Sequence, residues 1–154
     1  MSNKKILGIR TSPTEIRYAL LETSAGGHID FINCSSESKL QYPATHTTAE
    51  SKLHWLKSEI DRIFRQSPGV TQVIIKTNEF SRAENKAKRE SAYADAICIL
   101  SAAEHNIPVI CKLYTQIGTT SKDVKLKAES MVGRTEKYWD TKIADAIMAA
   151  YSAR

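Results

Sequence analysis

The stretch that most constrains the fold of this chain is residues 4–22, KKILGIRTSPTEIRYALLE. Ile6-Leu7-Gly8-Ile9 is an apolar run of strand length. Thr11-Ser12-Pro13-Thr14 is turn material, in which Pro fixes φ and the hydroxyls bond the backbone. Residues 16–22 resume as a strand, with Tyr18, Leu20 and Leu21 as apolar surface. Ala25-Gly26-Gly27 marks a second tight turn, and residues 28–34 a third strand. Ile29, Phe31 and Asn33 share one of its faces; Asp30, Ile32 and Cys34 share the other. Strands joined by such short turns pair antiparallel, so the chain opens as a meander.

Beyond it, helices and strands alternate. Residues 35–46 are polar, carry Pro43 and read as a long connection. Thr47 with Glu50 makes a capping-box pattern. Leu53, Leu56, Ile60 and Ile63 then recur at helical spacing and predict a helix over 48–66, stopped by Ser67-Pro68-Gly69. Val73-Ile74-Ile75 predicts a buried strand over 70–76. A second long helix is expected over 82–105, basic in its first half and small and apolar in its second. A strand over 107–114, a short helix over 122–132 and a closing helix over 138–153 complete the order. This pattern predicts one α/β domain over 1–154. Its five-stranded mixed sheet has β1-β2-β3 antiparallel and β4 and β5 parallel, with helices on its faces.

Composition excludes several classes. The chain has 154 residues, 42% of them hydrophobic, which suits one soluble domain with a core. No apolar run reaches membrane-span length. The run after Lys4 and Lys5 is too short for a signal-peptide core. Cys34, Cys98 and Cys111 form no CxxC pair, which predicts reduced thiols and a cytoplasmic location, with neither a disulfide framework nor a zinc site. The net charge of +5 is compatible with a nucleic-acid partner and equally with a plain basic protein.

The order of elements is that of the ribonuclease H-like fold, and three local stretches narrow it. KILGIRTSPTEIRYALLE resembles the opening of RuvC-type Holliday-junction resolvases and their YqgF relatives, where a strand ending Gly-Ile-Asp leads through a turn into a second strand. VIIK, residues 73–76, is similar to the strand that ends in a catalytic Glu. KIADAIMAA, residues 142–150, is similar to the final helix, with its Asp-x-x-Asp-Ala signature. The resemblance implies two-metal phosphodiester hydrolysis on Mg²⁺ held by carboxylates. At the matching positions this chain has Arg10, Lys76 and Lys142, and only Asp145 keeps its type. Three cations there imply a site that repels metal and attracts phosphate or carboxylate. The resemblance therefore implies a protein that has lost metal-dependent hydrolysis and binds DNA or RNA, with no cofactor.

Two alternatives stand beside this. One is an active Mg²⁺-dependent nuclease with a rebuilt site using Asp145 and Glu79, with Glu15, Glu136 or Asp140 as further ligands. Glu79 is the best of these, three residues beyond Lys76. Asp140 and Asp145, five apart on a helix, point in different directions and do not suit one metal. The other is a protein-interaction or assembly subunit, as a homodimer. Lys122, Lys125, Lys127 and Arg134, with Lys137, form a basic stretch placed for a phosphate groove. Arg82, Lys86, Lys88 and Arg89 are interrupted by Glu84 and Glu90 and read as a solvated helix face. Trp55, off the main stripe of its helix, is a candidate partner contact; Trp139 and Cys98 read as core. The four histidines show no ligand spacing, and neither standard Gly-rich phosphate loop is present.

Overall fold

The computed structural model describes residues 3–153. Its elements are β1 (Lys4–Thr11), β2 (Glu15–Thr23), β3 (Ile29–Phe31), β4 (Lys39–Gln41), α1 (Ala49–Gln66), β5 (Val70–Lys76), α2 (Lys86–Glu104), β6 (Val109–Lys112), α3 (Tyr114–Ile117), α4 (Val124–Met131) and α5 (Thr141–Tyr151). The sheet order is β3-β2-β1-β5-β6, with β4 also paired to β2. β1, β2 and β3 are antiparallel neighbours; β5 runs parallel to β1 and β6 parallel to β5.

The sheet has six strands where the sequence predicts five. The additional strand, β4, lies inside the expected 35–46 connection. Asn33 explains it. The third strand stops at Phe31, and Asn33 turns inward, 5% exposed. Its Oδ1 accepts from Leu20 N (2.8 Å), while its Nδ2 donates to the carbonyls of Tyr18 (3.0 Å) and Glu37 (3.0 Å). One side chain thus fills a gap in the ladder. β3 covers the far end of β2, and β4 covers its start at Glu15–Arg17.

β1 is buried on both faces. Leu7 and Ile9 join the core beneath α1 and α2, with Leu56, Ile60, Ile63, Ala94 and Cys98. Ile6 joins the core beneath α5 and α4, with Ile74, Ile143 and Ile147. Gly8 belongs to this strand, on the α5 side. A Cβ there would lie 1.9 Å from the Ala146 carbonyl oxygen, so the absence of a side chain lets α5 rest directly on β1.

Helix starts differ from expectation where polar caps decide. α1 is capped by Thr48 with Ser51, one residue beyond the Thr47–Glu50 pair. Asn85 caps α2 through Lys88 N (2.9 Å), leaving 77–85 as a loop that includes Arg82. Asp140 caps α5 through Ile143 N (3.1 Å), and Tyr138 just before it has φ +61°, outside any right-handed helix. Among the described residues no helix is long and apolar enough to cross a membrane.

Candidate nucleic-acid interface

The sheet's register brings five basic residues into one row. Lys39 of β4 pairs with Arg17 of β2, Arg17 with Arg10 of β1, Arg10 with Lys76 of β5, and Lys76 with Lys112 of β6. Directly paired residues point to the same face of a sheet. At about 4.8 Å per strand the row is about 19 Å long. It lies on the α5 side, as each contact confirms. Lys112 donates to Ser152 Oγ (3.0 Å), Arg10 meets Asp145 and Arg17 meets Asp140. The Lys76 ammonium stands 3.9 Å from the centre of the Tyr114 ring, and the Lys39 ammonium the same distance from that of Tyr138.

Arg10 is at the centre. Its Nε lies 3.2 Å from Asp145 Oδ2, its Nη1 donates to the Lys76 carbonyl (3.1 Å) and its Nη2 to Asn78 Oδ1 (3.0 Å). Asp145 is 2% exposed, and its other oxygen accepts from the Tyr114 hydroxyl (2.8 Å). Burial raises the Asp145 carboxyl above its ordinary value, opposed by the Tyr114 hydrogen bond and the Arg10 charge. Lys76 is 1% exposed and donates to Glu79 Oε2 (3.1 Å) and the Thr77 carbonyl. Burial first, then the neighbouring Arg10 charge, lowers the Lys76 ammonium from its ordinary value; Glu79 pulls the other way. On the opposite face of the sheet the Thr11 hydroxyl donates to Asp95 Oδ1 (2.5 Å). Burial pushes this carboxyl up to about 6.

The outer part of the row is neutralised differently. Arg17, 3% exposed, donates to Asp140 Oδ2 (2.5 Å) and to the Tyr138 carbonyl (2.9 Å). Glu15 receives Lys142 (3.1 Å), Lys39 (3.8 Å) and Arg17 (3.6 Å). Burial works to raise the Glu15 carboxyl, but the Lys142 hydrogen bond and the three positive charges outweigh it and lower it. The helical pair Lys142–Asp145 does not form: Lys142 turns to Glu15 and Asp145 to Arg10.

A cleft of about 550 Å³ opens above this network, bounded by Arg10, Lys88, Lys142, Asp145, Glu79 and the loop tip Phe80. Phe80 is 87% exposed. The structure therefore brings Arg10, Lys142, Asp145 and Glu79 to one opening, with Lys76 buried beneath it. Lys122, Lys125, Lys127 and Arg134 do not line it. Lys127 donates to the Gly118 carbonyl at another cavity, and Arg134 lies over the Trp139 ring. Lys88, read as part of a solvated face, does line it. Trp139 packs half-buried on the α5-side core and Cys98 is fully buried; Trp55 packs against Tyr42.

No family model matches the sequence, and no curated protein matches it. Solved structures do. RuvC of Thermus thermophilus in complex with Holliday junction substrate superimposes with a TM-score of 0.78 at 15% identity, covering 96% of this chain and 91% of that one. The fold is that of the RuvC-type resolvases. The fowlpox virus resolvase, solved with Holliday junction DNA, gives 0.60 at 16% identity over 97% and 95% of the two chains. The yeast mitochondrial Holliday junction resolvase gives 0.62 at 9% identity over 97% and 78%.

This RuvC-like fold is the ground on which the resemblance implies carboxylates and Mg²⁺, and the residues present do not fit that ion. Mg²⁺ needs oxygen ligands arranged octahedrally. Here Asp145 has both oxygens engaged by Arg10 and Tyr114, and Glu79 shares one oxygen between Lys76 and Tyr114 N. Among the described residues no three His, Cys, Asp or Glu side chains group as metal ligands. The rebuilt set is not assembled. Asp140 holds Arg17 and caps α5, Glu15 holds three cations, and Glu136 is exposed in the loop before α5.

Proposed function

We propose that the protein binds nucleic acid across this cleft and has lost metal-dependent hydrolysis. The observation that carries the reading is the row Lys39, Arg17, Arg10, Lys76 and Lys112, which meets the opening at Arg10. With Lys142 the row makes six cations; five of them touch the four carboxylates Glu15, Glu79, Asp140 and Asp145 and the sixth, Lys112, touches only the Ser152 hydroxyl, which leaves two positive charges. Lys88 at the rim adds a third. Such a field attracts a polyanion without a metal. Buried Lys76 and paired Arg10 act through this field and through the shape of the site; the phosphate contacts at the rim are Lys142 and Lys88, whose ammonium also donates to Ser81 Oγ and the Ala83 carbonyl. Phe80 offers a stacking surface for a base. The two superimposed resolvases solved with junction DNA support a branched ligand. The unpaired thiols of Cys34, Cys98 and Cys111 suit a cytoplasmic site of action.

The test is fluorescence anisotropy with a labelled four-way junction and a matched duplex across a salt series. The expected result is a complex that prefers the junction and weakens steeply with salt, as phosphate contacts require. Lys88→Glu, which suits the first turn of α2, lowers affinity by about tenfold. Added Mg²⁺ or Mn²⁺ leaves the DNA uncut. No binding at low salt overturns the reading, and metal-dependent cleavage overturns the loss of hydrolysis.

A specific observation also favours self-association. α2 exposes Ala92, Tyr93, Ala96, Ile99, Leu100 and Ala103, an apolar strip on one side of the helix. Laid antiparallel on a second copy about a two-fold axis, this strip meets itself, and its alanines permit close approach.

A further inference from the structure

We propose that Tyr138, which precedes the cleft-lining residues Thr141 and Lys142, is a second platform for an unpaired nucleobase besides Phe80. The inference rests on the nucleic-acid reading above. Among the described residues two non-glycine residues have positive φ, Asn106 at 58° and Tyr138 at 61°. Asn tolerates the left-handed region because its short side chain bonds locally, whereas a bulky aromatic residue there is a true outlier. Glycine would adopt this backbone freely, so a tyrosine here points to a requirement for the ring.

The surroundings hold that ring in place. Arg17 donates to the Tyr138 carbonyl (2.9 Å), and the same guanidinium holds Asp140, the cap of α5. The Lys39 ammonium stands 3.9 Å from the ring centre and the Arg17 guanidinium 5.8 Å. Both belong to the cationic row, so the ring sits at the row's outer end. A cation on an aromatic face is attracted by the ring quadrupole and fixes the ring's orientation. Even so, Tyr138 is 54% exposed. Thr141 and Lys142, three and four residues on, line the cleft itself. A strand whose phosphates follow Lys142 and Lys88 therefore has an oriented ring within reach of its next unpaired base. Stacking of this kind is tolerant of base identity, because every base has a π-face.

The experiment uses a single-stranded oligonucleotide carrying 2-aminopurine and a blunt duplex of the same sequence. Wild type is expected to quench the 2-aminopurine on binding. Tyr138→Ala loses the quench and binds the single strand about tenfold more weakly, with duplex affinity unchanged. Tyr138→Phe keeps both properties. Tyr138→Gly, which accepts the positive φ, folds and melts as a native protein yet binds as poorly as the Ala variant. Equal single-strand affinity and quench in wild type and the Gly variant overturn this inference and leave the nucleic-acid reading standing. A wild type that holds the four-way junction but neither of these probes overturns this inference alone, and one that binds no nucleic acid at low salt overturns both.

Discussion

Arg10 and Asp145 show how a single charge pair can define a site. Asp145 is almost wholly buried, and Arg10 is the cation that touches it. Removing one partner of a buried pair leaves the other uncompensated, a change that costs about 3–5 kcal/mol. Arg10→Ala is therefore expected to lower the free energy of unfolding by about 3 kcal/mol, measured by urea denaturation. Adding Asp145→Asn to that variant restores most of the loss, because the stranded charge disappears. Additive losses in the double variant would show that the pair is not coupled. Lys76 differs. Its ammonium is held by Glu79, the Thr77 carbonyl and the Tyr114 ring, all close in space to the strand end where it sits. Its type was readable from the sequence, and its complete burial was not.

At the scale of elements, the contact of β1 with α5 sets the geometry of the cleft. Asp145 reaches Arg10 because α5 lies directly on β1, and it lies there because position 8 is glycine. The Cβ of Gly8→Ala would meet the backbone of Ala146 at 1.9 Å and of Ala150 at 2.8 Å. Backbone atoms cannot move aside as a flexible side chain can. The substitution is expected to destabilise by at least the ~1–3 kcal/mol of ordinary overpacking and to separate α5 from the sheet. Loss of protection of the α5 amides in hydrogen exchange checks this; unchanged protection and melting would refute it. The loop 77–85 and the start of α5 illustrate the limits of periodicity. Arg82–Glu84 and Tyr138–Trp139 extend a helical pattern in sequence, yet the caps Asn85 and Asp140 end it.

For the whole molecule, the outer face of α2 is the surface proposed to meet a second copy. Its inner side, Ala94, Cys98 and Ala102, is in the core, while Ile99 and Leu100 on the outside are 38% and 48% exposed. In the second half of α2 the apolar residues thus occupy both sides, and a helical stretch of that kind is normally covered. Light scattering is expected to give twice the 17.2 kDa chain mass, and Leu100→Lys to return the monomer. A wild-type monomer at high concentration removes the dimer. The strip lies on α2 beyond the core, and the cationic row lies on the other face of the sheet, so self-association leaves the row's face free.

The sequence by itself determined the fold class. Local patterns, namely the strand pair 4–22, the run Val73-Ile74-Ile75 and the stripe Leu56–Ile60–Ile63, depend on neighbours in the chain, and they reappear as β1, β2, β5 and α1. It also singled out Arg10, Lys76, Lys142, Asp145 and Glu79, because a family motif attaches to local sequence. Only the tertiary structure decided what these residues do. β4 was illegible because three residues carry no period and its place depends on Asn33 spanning a gap in the ladder. Arg17, Lys39 and Lys112 were illegible as site residues because nothing in the local sequence distinguishes them from ordinary surface cations. Their alignment arises from register across five strands, and a slip of one residue would have sent each to the opposite face. Distance in the chain says nothing about register, so the charge that most shapes this molecule became visible only once the strands were paired.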